Sequence, residues 1–126
     1  MNYNPARRKT VVIFELEHLS CCERAALFKE YDLNPVKGTG RYNNTINQSF
    51  MIKEEDLHID FVKELAKAGE ESILIVEGDT RKASLYYVGN SYRDRYTLGT
   101  LVAVPEAVAL NQNAWSHFNN TFYICK

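Results

Sequence analysis

Residues 54–69, EEDLHIDFVKELAKAG, constrain this chain more than any other segment, because their pattern is that of the clearest helix in the sequence. Leu57, Phe61, Leu65 and Ala68 recur at helical spacing on one face, acids fill the first turn, and Gly69 supplies a left-handed stop. The apolar strand QSFMI precedes the helix and the apolar strand SILIVEG follows it. A helix with one apolar face, tied at both ends to apolar strands, buries that face on a sheet.

The flanking sequence extends the pattern. Residues 10–17, TVVIFELE, alternate as a strand with Val12, Phe14 and Leu16 on one face. SCCE then reads as a capping box, the Ser20 hydroxyl accepting from the Glu23 amide while the Glu23 side chain reaches back. A helix from there should stop near Tyr31, since Asn34 precedes a proline and is pushed out of helical geometry. Pro35, Gly38 and Gly40 mark a turn-rich segment with room for one short strand. Beyond the second helix, SILIVEG and KASLYYV flank GDTR as a hairpin, and TLGTLVAV is a further strand. PEAVAL is a short helical turn with Pro105 at its first position, and TFYIC closes the chain as a strand.

This order predicts an α+β fold: a ferredoxin-like antiparallel sheet with two helices on one face and additional C-terminal β-strands. No repeat or linker divides the chain, and 126 residues are enough for a single domain over 1–126 with a core that needs no staples. Two helices cover only one sheet face, so the other is expected to be covered by further copies of the chain in a homo-oligomer.

Several function classes are excluded by what the sequence lacks. A formal net charge of -1 gives no basic footprint, so nucleic acid is not an expected partner. No run approaches the roughly 18–20 apolar residues of a membrane span, and the N-terminus has no apolar stretch of a secretory signal. Three cysteines, two of them adjacent at Cys21 and Cys22, do not form a disulfide framework; the adjacent pair reads as a redox pair or as small packing residues. These features together predict a cytoplasmic protein. Phosphate-binding glycine loops and HExxH are absent, and His18, His58 and His117 lack metal-ligand spacing, so no metal or cofactor is expected.

Two stretches remain as candidate sites. In TGRYNNTINQSFMI, four neutral amides, Asn43, Asn44, Asn47 and Gln48, stand between Tyr42 and an apolar strand. Asn43 and Asn44 suit a turn, whereas Asn47 reads equally as a ligand-positioning amide, able to donate to one group and accept from another. In GEES, Glu70 and Glu71 sit between a helix end and a strand, either solvated or entering a pocket to hold an ammonium group. Eight tyrosines add aromatic faces, which pack on strands and also attract cations such as a sulfonium.

Residues 40–104 resemble the phage S-adenosylmethionine lyases. In TRKASLYY, Thr80, Ala83, Leu85 and Tyr87 fit the hairpin pattern of that family. EESILIV is similar to the segment before it, with Glu70 in place of a glutamine, Glu71 as the acid and Ser72 as the small residue. Gly40-Arg41-Tyr42 fits a glycine-x-tyrosine motif, and Asn47 falls where the family carries a glutamate. The resemblance implies a lyase that needs no cofactor and takes a sulfonium nucleoside. The substrate would be S-adenosylmethionine, or the adenylated messenger SAM-AMP that relatives of these lyases degrade. Tyr42, Asn47 and Glu71 would be catalytic, with Glu70, Ser49, Ser72 and Tyr87 binding substrate. It also favours a trimer as the homo-oligomer. The asparagine-for-glutamate departure leaves a second reading open, a non-catalytic oligomer that sequesters a nucleotide. A third is an inhibitor that binds a protein through exposed tyrosines.

Overall fold

A computed structural model describes residues 8–42, 44–90 and 95–126. Its strands are β1 (Val11–Phe14), β2 (Val36–Tyr42), β3 (Thr45–Lys53), β4 (Ser72–Val76), β5 (Lys82–Tyr87), β6 (Arg95–Val104), β7 (Trp115–Phe118) and β8 (Thr121–Cys125). They form one closed barrel in the order β1-β3-β2-β7-β8-β6-β5-β4, with β4 returning to β1 and each neighbouring pair antiparallel.

A closed barrel overturns the expected ferredoxin-like open sheet with strands added at its end. The later strands are the second half of one wall. The strand that closes it is β7, whose sequence WSHF is too short and too polar in its middle to read as a strand. It pairs with β2 on one side and β8 on the other. Residues 36–42, expected to hold one short strand, form a seven-residue strand because both edges of β2 find partners. Gly38 makes that seam possible. A Cβ there would lie 2.3 Å from the His117 carbonyl oxygen and 2.4 Å from the Phe118 ring, so only glycine lets β7 approach.

Strand alternation divides the side chains between two environments. Val11, Ile13, Met51, Leu74 and Val76 join Ala83, Leu101, Phe118 and Tyr123 in the barrel interior. Val12, Phe14, Phe50, Ile52, Ile73 and Ile75 face outward, where helices α1 (Cys21–Glu30) and α2 (Ile59–Lys67) cover them. The outer layer is aromatic: Phe14 meets Phe61 at 5.5 Å between centroids and Phe28 meets Phe50 at 5.1 Å, both edge-on. Helix α3 (Glu106–Leu110) lies against β8 on another part of the wall, where Ala109, Trp115 and Ile124 form a smaller cluster. Both faces of the β1–β3–β4 wall are therefore covered within one chain, so covering this wall does not require a second copy.

The local signals in the helices hold with small changes. Ser20 and Glu23 form the capping box, Ser20 N–H donating to Glu23 at 2.9 Å and Glu23 N–H to Ser20 at 3.1 Å. Cys21 and Cys22 are exposed thiols, not small packing residues. The segment 54–69 breaks into a 3-10 turn (Glu54–Asp56) and α2. Gly69, at φ +89°, ends α2: its N–H donates to the Ala66 carbonyl and that of Glu70 to the Leu65 carbonyl. Pro105 caps α3 from just outside its first turn.

The β2–β7 seam gives a direct test of closure. Gly38→Ala should lower stability by about 1–3 kcal/mol in urea denaturation, because the new methyl meets a backbone carbonyl and a packed ring. Gly89→Ala, where nothing lies within 4 Å, should be near neutral. Equal effects of the two changes would deny that Gly38 sets the approach of β7.

Candidate functional site

At the end of β1 the chain turns sharply, with Leu16 at φ +56°, a conformation that a branched residue adopts only when its surroundings hold it there. The Glu70 carboxylate does the holding. Its Oε2 accepts from the N–H groups of Glu15 and Leu16, each at 2.8 Å. Successive amides in such a turn form a small anion-binding concavity. Glu70 reaches it because the left-handed stop at Gly69 turns the chain out of α2 just before it. The Leu16 side chain is buried in the outer core, which fixes the turn from the other side.

That turn gathers acids. Asn47, near the start of β3, donates through its amide nitrogen to Glu15 at 3.2 Å and to Glu17 at 2.9 Å. Ser49, buried two residues on, sits against Gly40: a Cβ at Gly40 would be 2.7 Å from the Ser49 hydroxyl and 3.6 Å from a Glu15 carboxylate oxygen. Glu15, Glu17 and Glu70 thus converge at one end of the barrel. Among the described residues no lysine or arginine pairs with any of the three, and only His18 approaches, 3.6 Å from Glu17. The nearby Arg24 guanidinium donates instead to the Leu16 and Leu19 carbonyls and to Gln48.

The electrostatics reflect this crowding. Burial raises the Glu15 carboxyl above 4.5, the Asn47 hydrogen bond opposes it, and the charges of Glu70 and Glu17 raise it further. Burial likewise raises Glu70, against the two backbone hydrogen bonds that favour its ionised form. A group of acids held under strain without a counter-cation is suited to receive one. Among the described residues no group of three acids, histidines or cysteines could hold a metal ion.

Glu70 also lines a shallow hollow of about 400 Å³ with Glu71, Tyr87, Ala66, Gly69 and Gly89. Two of the sequence-derived groups therefore meet at Glu70. Asn47 and Ser49 lie with Glu15 on one side of it, while Glu71 and Tyr87 share the hollow, with Ser72 beside Tyr87 in the β4–β5 register. Tyr42 joins neither group; it is 57% exposed, paired with Thr45 next to the β2–β3 turn. Asn44 is a turn residue at φ +67° that accepts from Arg41 at 2.9 Å, and Asn43 lies outside the described residues.

Sequence reading missed Glu15 and Glu17. The signal was present, because in TVVIFELE the face opposite Val12 and Phe14 runs Val11, Ile13, Glu15, apolar and then acidic. That face was assigned no partner, whereas in a closed barrel it points inward.

The raised carboxyls carry a pH dependence. The folded protein binds the Glu15 and Glu70 protons more tightly than the unfolded chain does. Their contribution to stability is therefore full below about pH 4.5 and is lost as pH rises through the higher folded values. Glu15→Gln should raise Tm at pH 7 by a few degrees, with the gain shrinking at pH 4. A gain that is the same at both pH values would show that Glu15 is not held in the environment described.

No curated protein matches this chain as a relative. A match of the S-Adenosylmethionine lyase family model extends over residues 8–126, taking in every strand of the barrel together with the acidic cluster and the hollow beside it. The chain belongs to the S-adenosylmethionine lyase family.

Proposed function

We propose that the protein cleaves S-adenosylmethionine, or its adenylated form SAM-AMP, by intramolecular attack of the methionine carboxylate on the γ carbon. The carboxylate oxygen–γ carbon bond forms as the γ carbon–sulfur bond breaks, and the electron pair leaves on sulfur. The products are homoserine lactone and methylthioadenosine, or its nucleotide conjugate. No proton moves in this step. The sulfonium is already activated, so the protein contributes orientation, which in intramolecular reactions is worth up to roughly 7–11 kcal/mol.

The observation that carries this reading is the unneutralised acidic cluster beside the hollow. A carboxylate placed against the sulfonium would stabilise the substrate more than the transition state, where that positive charge is vanishing, and would slow the reaction. The cluster therefore belongs at the substrate ammonium, whose charge does not change. Placed there, it anchors one end of the methionine chain while the rest folds for attack. Asn47, where the family likeness would put a glutamate, donates to both Glu15 and Glu17. Negative charge absent from β3 is thus brought from the end of β1, across the β1–β3 pair. In this reading Glu71 and Tyr87 line the path of the substrate, and Ser72 and Ser49 offer hydroxyls near either end. The Tyr87 ring offers an apolar surface against which the methionine chain can fold.

Tyr42, Ile46, Tyr87 and Tyr96 are exposed large side chains at this same end of the barrel. Apolar area of this kind beside a shallow hollow favours completion by another copy, and Tyr42 would enter the site across such a contact. A trimer is the assembly that the family likeness implies. A sequestering role is the second reading, favoured by the same asparagine at position 47.

Incubation with S-adenosylmethionine, and separately with SAM-AMP, followed by mass spectrometry of methylthioadenosine or its conjugate, tests the proposal. Turnover of either is expected; stoichiometric binding without product would move the protein to the sequestering role. Glu15→Gln combined with Glu17→Gln should raise KM about tenfold or more with a smaller change in kcat, as expected for loss of an anchor whose charge is constant along the reaction. Glu71→Gln and Tyr42→Phe should each lower kcat/KM about tenfold, with circular dichroism unchanged. Wild-type kinetics in all three variants would remove these residues from the site.

A further inference from the structure

The acidic cluster uses one end of the barrel; the other end holds a larger cavity of about 600 Å³ that the lyase reading leaves unused. Strand direction separates the two. The acids stand at the end of β1 and the start of β3, whereas this cavity is lined from the start of β1 and the end of β3, by Val11, Met51 and Lys53. Its floor is the apolar interior, where Ile13, Leu101 and Phe118 contribute side chains. Its lining carries four cations, Arg8, Lys9, Lys53 and Arg81, against two acids, Asp32 and Asp56.

Arg81 is the feature that points to a ligand. It is held at φ +61° at the end of the β4–β5 turn, with its N–H donating to the Glu77 carbonyl at 3.0 Å and its carbonyl accepting from Leu101 at 2.8 Å. The backbone position is therefore fixed. Its side chain, half-buried at the cavity wall, has an Nε–H that is out of solvent and has no acceptor. None of the ion pairs among the described residues involves Arg8, Lys53 or Arg81. Burial and then the neighbouring Arg8 charge lower the Arg81 pKa, and only Tyr123 opposes them, so the guanidinium is partly desolvated and repelled. A buried donor left unpaired costs about 1–3 kcal/mol, and a planar oxyanion is the partner a guanidinium fits best.

We propose that this mouth of the barrel binds an oxyanion carried on an apolar body. The carboxylate or phosphate head would pair with Arg81 beneath the Arg8 and Lys53 charges, and the body would rest on Met51, Leu101 and Phe118. The volume lies within the usual range for small-ligand pockets, roughly 300–1,000 Å³, and the mix of apolar walls with a few polar groups is typical of them. Neither a bare ion nor a bare hydrocarbon would satisfy both halves of the cavity.

Calorimetric titration of the full chain with octanoate and with octyl phosphate, using inorganic phosphate and octanol as half-ligands, tests this. At least one of the two amphiphiles should bind at least tenfold more tightly than either half-ligand. A preference between them identifies the head group. Arg81→Gln should weaken that binding about tenfold or more, the loss expected for a hydrogen bond to a charged group. Arg8→Gln, at an exposed rim position with no role in the core, should weaken it several-fold and guards against a folding defect in the first variant. Failure of both amphiphiles to bind, or equal binding by wild type and both variants, would overturn the proposal. Methylthioadenosine release reports on the opposite mouth and separates this outcome from the fate of the lyase reading.

Discussion

The contact on which most of the structure turns is the Glu70 carboxylate seated on the N–H groups of Glu15 and Leu16. It joins the end of α2 to the end of β1 and makes a left-handed leucine tolerable. It also draws a third acid toward Glu15 and Glu17. Water could supply the hydrogen bonds if the turn were open, but not the fixed geometry. The same contact therefore serves the fold and concentrates negative charge at the mouth to which the proposed function assigns the substrate ammonium. Active sites commonly hold such local strain because the rest of the core over-determines it. Here Leu16, packed among Phe14, Phe61 and their neighbours, supplies that support.

Local features were legible in the sequence wherever one short-range rule decided them. The capping box at Ser20 and Glu23, the glycine stop at Gly69 and the β4–β5 hairpin each depend on a few adjacent residues. Barrel closure was not legible, since it depends on β7 reaching β2 about seventy-five residues away and on a missing side chain at Gly38. WSHF carries no alternation strong enough to announce a strand. Once the sheet is taken as open, the inward face of β1 has no partner, and Glu15 and Glu17 look solvated. One mistaken edge thus hid two acids.

The amides near position 47 illustrate how composition alone leaves roles undecided. Asn44 serves the turn, Gln48 meets Arg24 at 3.4 Å, and Asn47 bridges two carboxylates. The three are neighbours in sequence, yet strand alternation sends Asn47 and Gln48 to opposite sides of the wall. Only the arrangement against β1 distinguishes an amide that bridges two carboxylates from a surface one.

The distribution of charge along the barrel has a consequence for encounter in solution. The Glu15, Glu17 and Glu70 carboxylates gather at one mouth, whereas the cavity at the other is lined by four cations against two acids. Each aperture sets up its own local field, which within about a Debye length favours cations at the acidic mouth and anions at the cationic lining. Ionic strength, by flattening the field, would slow both arrivals while leaving the bound geometry at each end untouched.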